Sequence, residues 1–190
     1  SIKKSVFRNK YGSTAEFEVE GNIMSLINST DFSTLTTLKS NFTFAFLFSN
    51  CTGLTSAENL ILPATTLAMG CYIGMFLGCT KLTTAPALPA TDLETGCYVQ
   101  MFSGCTSLTT APKLPATTLV DSCYAGMFQG CTSLTIAPEL PATDLAMGCY
   151  VQMFYNCSSL NYIKCLATDI SADGCTDYWV DGVASTGTFV

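Results

Sequence analysis

Eleven cysteines and no histidine set the chemical possibilities of this 190-residue chain. Ten of the thiols fall in two columns, Cys71, Cys97, Cys123, Cys149, Cys175 and Cys51, Cys79, Cys105, Cys131, Cys157, with Cys165 outside both. Thiols so arranged could form disulfides, bind a metal, or pack inertly. Zinc motifs favour cysteines two to four residues apart, closed by a further Cys or His pair; here the spacing within a unit is eight, as in Cys71 to Cys79. The odd total argues against complete pairing, and thiols stacked one repeat apart point the same way, which does not suit a bridge. Small buried thiols filling a narrow interior layer are the expected state. No metal and no cofactor are assigned.

The missing histidine also removes the commonest general base and the usual pH switch. Acidic residues are scattered: Asp92, Asp121 and Asp144 lie in different units, and no pair is placed as acid and base. No stretch alternates oxygen ligands as a calcium loop does, and no nucleophile elbow occurs. No catalytic residue is assigned, and the chain is not expected to be an enzyme. The AsnXxxSer/Thr triplets at Asn28 and Asn41 are read as chance.

What must position all of these residues is a repeat. LeuProAlaThr begins at Leu62, Leu88, Leu114 and Leu140, and MetPhe recurs at Met75, Met101, Met127 and Met153, a common period of 26 residues. The consensus is LPATTLxxGCYxxMFxGCTSLTTAPx. A first unit, marked by Leu47, Phe48, Cys51 and Leu54, is longer by two, with extra residues around Glu58 to Leu60. The last, 165–183, lacks the proline (Leu166, Ala167, Thr168) and has Trp179 and Val180 for MetPhe. Atypical terminal units are what capping of a stacked array requires.

Within a unit, Leu108 to Leu114 reads as a short extended segment closed by Pro115. From Leu119 to Cys131 the offsets of Cys123, Met127, Phe128 and Cys131 fit one face of a short helix, with Gly130 as its left-handed end. Such a unit cannot bury its apolar face alone, so units must stack. The expected fold is an α/β solenoid, one short strand and one short helix per repeat, with a parallel sheet along one face; at about 4.8 Å per strand it is on the order of 25 Å long. Residues 1–40 are expected to be an N-terminal cap, with a strand where Ala15 to Val19 alternates; 41–164 hold the repeats, and 165–190 the degenerate last repeat and C-terminal cap.

The Met and Phe columns read as interior. The tyrosines Tyr72, Tyr98, Tyr124 and Tyr150 read as packing partly over the convex side, with a stacked sugar platform as the alternative. Columns that vary between copies read as surface: Ala87, Lys113, Glu139; Thr66, Asp92, Thr118, Asp144; Leu77, Ser103, Gln129, Tyr155. A net charge of -6 with eight Lys and Arg cannot build the basic stripe that nucleic acid requires. No apolar run approaches the roughly 18 residues of a membrane span. The start at Ser1, without Met, suggests a mature or trimmed fragment, in which any export signal or lipid anchor would already be missing.

The MFxGCTSL run followed by LPAT, with the closing GVASTGTFV, resembles the BspA-type leucine-rich repeats of bacterial surface proteins, particularly the 26-residue repeats of gut Bacteroidetes, over about 41–190. This chain departs from the commoner BspA repeat by its longer LPATTL segment. The resemblance implies a leucine-rich-repeat solenoid displayed on a bacterial surface or secreted. It also implies a non-catalytic adhesion module that recognises a protein or glycan of a host, matrix or other cell. Recognition would fall on the strand-side face, carrying Thr83, Thr109, Thr135 and Asn161, with the variable Lys113 and Glu139 beside it. The alternative is a structural spacer or stalk in a larger surface or phage-like assembly.

Overall fold

Glycine and proline decide the local structure of each unit. In the computed structural model, which describes residues 14–190, the backbone N–H groups over 70–79 split into two alternating sets. Cys71, Ile73, Met75, Leu77 and Cys79 each donate to the carbonyl three residues back, giving overlapping β-turns. Gly70, Tyr72, Gly74, Phe76 and Gly78 donate instead to the next unit, to the carbonyls of Thr95, Cys97, Val99, Met101 and Ser103. Every fourth residue is left-handed: Gly70, Gly74 and Gly78 have φ of 59°, 53° and 71°. That is the turn conformation that glycine adopts at least cost. The same alternation runs through 42–50, 96–104, 122–130 and 148–156, and 174–182 repeats the turns and left-handed corners, so six turn ribbons lie side by side.

The helix expected over Leu119 to Cys131 is therefore not formed. Ser122, Gly126 and Gly130 take φ of 55°, 59° and 72°, which interrupts any right-handed helix every fourth residue. The N–H groups that a helix would direct four residues back are used in turns and between units. Among the described residues the only helical turns are 3-10 segments at Ile23–Leu26 and Phe32–Thr34. The expectation of a strand plus a helix per repeat is corrected to a strand-like segment plus a turn ribbon.

On the other side the pairing is parallel but brief. β1 (Phe17–Glu18) pairs with β3 (Leu54–Ser56), β2 (Gly21–Asn22) with β4 (Leu60–Ile61), and β5 (Tyr162–Ile163) with β6 (Thr188–Phe189). Between these, single parallel bridges join Ser56 to Thr84, Thr84 to Thr110, and Ile136 to Tyr162, and a second row joins Thr37 to Thr66 and Thr66 to Asp92. Prolines shorten the pairing: Pro86, Pro112 and Pro138 follow two residues behind this row and have no N–H to donate. The extra residues of the first unit form β4, which receives the cap strand β2. β1 lies where the alternation places it, while residues 1–13 of the expected cap lie outside the described residues.

A four-residue turn period sends residues inward in pairs. Cys71, Tyr72, Met75 and Phe76 are buried and Ile73 and Leu77 are half-buried, and the pattern repeats in the following units. Equivalent rings stack along the array: Phe48, Phe76, Phe102, Phe128 and Phe154 at 5.4 to 5.8 Å, and Tyr72, Tyr98, Tyr124 and Tyr150 at 5.7 to 6.2 Å. Each such contact contributes about 0.5–1.5 kcal/mol beyond simple burial. The tyrosines are at most 2% exposed, which corrects both readings made for them: they lie neither over the convex side nor on a surface platform. Ser103, expected on the surface, is buried as well.

Both ends of this core are closed by aromatic or aliphatic side chains. Ile23, Met24 and Phe44 cover one end, and Phe44 stacks on Tyr72 at 5.9 Å. At the other, Trp179 takes the place of a methionine, stacks on Tyr150 at 6.1 Å and receives the edge of Phe189 at 5.8 Å. A Cβ at Gly53 would overlap the Ala15 carbonyl, so only glycine lets the cap strand approach there. Lys81 reaches back to Glu16 at 2.8 Å and holds that exposed carboxyl below its usual range.

Candidate binding face

The thiols belong to the interior. All but Cys165 are buried. Cys79, Cys105, Cys131 and Cys157 donate through Sγ to the carbonyls of Phe48, Phe76, Phe102 and Phe128 at 3.0 to 3.2 Å, so each thiol also ties one unit to the preceding one. Burial pushes Cys71, Cys79, Cys123 and Cys157 up to about 12. A thiol so protonated is a poor nucleophile and a poor metal ligand. Among the described residues no group of three or more His, Cys, Asp or Glu side chains is placed to hold a metal ion.

What remains for function is the surface. Thr83, Thr109, Thr135 and Asn161 are exposed, each one residue before the row of parallel bridges, and form a line across four successive units. At the two ends of that line the backbone joins neighbouring units: the Thr83 N–H donates to the Thr55 carbonyl at 3.0 Å, and the Asn161 N–H to the Thr135 carbonyl at 3.0 Å. The Thr83 hydroxyl bonds the same Thr55 oxygen at 3.0 Å.

Lys113 and Glu139 are exposed four residues further along their units, at the mouths of two shallow cavities. The first, about 400 Å³, is walled by Leu114, Pro115, Pro138 and Pro141 and carries both charges. The second, about 570 Å³, is walled by Pro86, Leu88, Pro89, Pro112 and Pro115, with Glu58 and Lys113 at its rim. Lys113 and Pro115 are shared by both, so the two hollows adjoin. Glu139 pairs with Lys164 at 3.1 Å, whereas Lys113 has no ion-pair partner among the described residues. Sequence reasoning selected the two charges and missed the proline walls and Lys164. The AlaPro and LeuPro steps repeated in each unit were the available signal, since two rigid rings with two residues between them, as in Pro112 and Pro115, cannot collapse onto each other as flexible side chains do.

Comparisons of the chain with protein-family models, with curated proteins and with solved structures found no match. The likeness to BspA-type repeats rests on the residues that carry it. Among the described residues no helix is long and apolar enough to cross a membrane.

Proposed function

We propose that this chain is a leucine-rich-repeat solenoid acting as a non-catalytic binding or adhesion module, secreted or displayed on a bacterial surface. The observation that carries this reading is a variable, charged rim set on a repetitive frame. Interior columns are nearly invariant from unit to unit, while the rim position reads Ala87, Lys113, Glu139 and sits over proline-walled hollows. Burial of the tyrosine column removes the stacked aromatic platform along the repeats that a glycan would favour. The expected ligand is therefore a protein surface or extended peptide that offers a carboxylate to Lys113 and apolar groups to the proline walls.

The test is a surface-binding screen of the chain against immobilised matrix proteins and a glycan array, repeated with Lys113→Glu. Saturable binding to a protein, weakened at least tenfold by Lys113→Glu with unchanged melting temperature, supports the reading. Absence of saturable binding, or binding indifferent to Lys113→Glu and to Thr109→Lys, overturns it in favour of a spacer or stalk.

A further inference from the structure

The two hollows on the rim differ in size, and one small residue accounts for the difference. Ala87, Lys113 and Glu139 hold the same position in successive units and are all exposed. The hollow between Lys113 and Glu139 has a long charged chain on each side and measures about 400 Å³. The hollow between Ala87 and Lys113 has only a methyl group on one side and measures about 570 Å³. Its walls include the rings of Pro86, Pro89, Pro112 and Pro115. Proline has no backbone N–H to donate, so a polar group entering between these rings would give up water without gaining a donor from them. The occupant of this hollow must be apolar, and Ala87 leaves room for a large one.

We infer, as an extension of the binding role proposed above, that this hollow takes one aromatic side chain of an extended peptide whose carboxylate, two residues away, pairs with Lys113. An aromatic ring suits rigid proline walls better than a branched aliphatic group does. Its electron-rich face meets the polarised C–H groups of the proline rings, and it buries on the order of 150–250 Å² with few rotatable bonds to fix. The charges at the rim set the rest of the pattern. Glu58 and Lys113 both line this hollow but form no ion pair with each other. Lys113 has no other ion-pair partner among the described residues and attracts the carboxylate, while Glu58 repels a second acid and favours a cation. In an extended chain alternate side chains share a face, about 6.6–6.8 Å apart. The recognised pattern is therefore acid, any residue, aromatic, any residue, base. Ala87 is the specificity-determining residue, because a longer side chain there would occupy the place of the ring.

Titrations of the ¹⁵N-labelled chain, followed by its amide shifts, test this with three peptides blocked at both ends: Asp-Ala-Tyr-Ala-Lys, Asp-Ala-Ala-Ala-Lys and Lys-Ala-Tyr-Ala-Lys. The first is expected to give saturable shifts centred on Ala87 and Lys113, and the other two to bind roughly tenfold more weakly or worse. Ala87→Leu is expected to reduce the first peptide to the level of the second, which lacks the ring. A second or third peptide as strong as the first, an affinity for the first unmoved by Ala87→Leu, or no saturation up to millimolar peptide would overturn the inference. Should Ala87→Leu fail to fold, the order of the three peptides on the unaltered chain decides. Failure here is distinguishable from failure of the binding role itself: a protein ligand weakened by Lys113→Glu but indifferent to Ala87→Leu keeps this face as a binding surface and removes only the ring site.

Discussion

Met127 and Cys105 are each 0% exposed and lie in interior columns, and their removal should be felt as lost packing. Met127→Ala is expected to lower stability by roughly 2 to 5 kcal/mol in a denaturant titration. Cys105→Ala is expected to destabilise as well, since it removes the bond to the Phe76 carbonyl at 3.2 Å along with volume. The buried thiols also give the protein an alkaline limit. Folding raises Cys71, Cys79, Cys123 and Cys157 from an ordinary 9.0 to about 12. Their contribution is thus fully present below about pH 9 and is lost as pH rises toward 12, because there the unfolded chain has released protons that the folded chain still holds. Each thiol costs up to ~1.4 kcal/mol per pH unit across that window, so the melting temperature should fall steeply between pH 9 and 11. A flat profile would place the thiols in water. At pH 8, a thiol reagent should modify Cys165 quickly and the others only on unfolding. Thiol burial was legible from two columns at the repeat spacing without metal-like clustering. Tyrosine burial was not, because Tyr72 sits beside a buried cysteine and only the pairwise inward step of a four-residue period brings both inside.

At the scale of the element, the repeat was legible and its backbone was not. Offsets of 0, 4, 5 and 8 among Cys123, Met127, Phe128 and Cys131 fit a helix of 3.6 residues per turn and a turn ribbon of period four about equally well over so short a stretch. The glycines separate the two: Gly70, Gly74 and Gly78 recur every fourth residue, a spacing that helix capping does not produce and that left-handed corners demand. Gly104→Ala tests this corner rule. Its φ is 73°, and an added Cβ would meet nothing nearer than 3.6 Å, so the change should cost about 1 kcal/mol, conformational in origin. Gly74→Ala should cost more, because its Cβ would also displace the Phe46 ring. The reverse change Gln100→Gly, at φ 52°, should stabilise. Calorimetric melting of the three variants checks the order, and a stabilising Gly104→Ala would contradict the turn ribbon. The extended segment expected over Leu108 to Leu114 forms only a single bridge, at Thr110, and the named strands pair over two residues each, since prolines follow closely behind the row.

For the whole molecule, stability is a sum over units and the contacts between them. Deleting one complete unit, 97–122, joins Gly96 to Cys123 and keeps every column in register across the 26-residue period. That shortened chain should fold, with Trp179 still half-buried against its neighbours by fluorescence, whereas deleting 97–121 should misplace the following interior residues and abolish cooperative unfolding. The face proposed for binding was only partly visible in the sequence: the variable columns include Lys113 and Glu139, but the hollows beneath them arise from prolines of neighbouring units that only stacking brings together. The account rests on N–H groups that reach across units. Through-hydrogen-bond scalar couplings in a deuterated, ¹³C,¹⁵N-labelled sample read those bonds one by one. The turn ribbon predicts a coupling from the Tyr98 amide to the Cys123 carbonyl, and likewise from Phe102 to Met127. Couplings from Tyr98 to the Glu94 carbonyl and from Phe102 to Tyr98 would instead establish a helix in each unit and contradict the stacked ribbons.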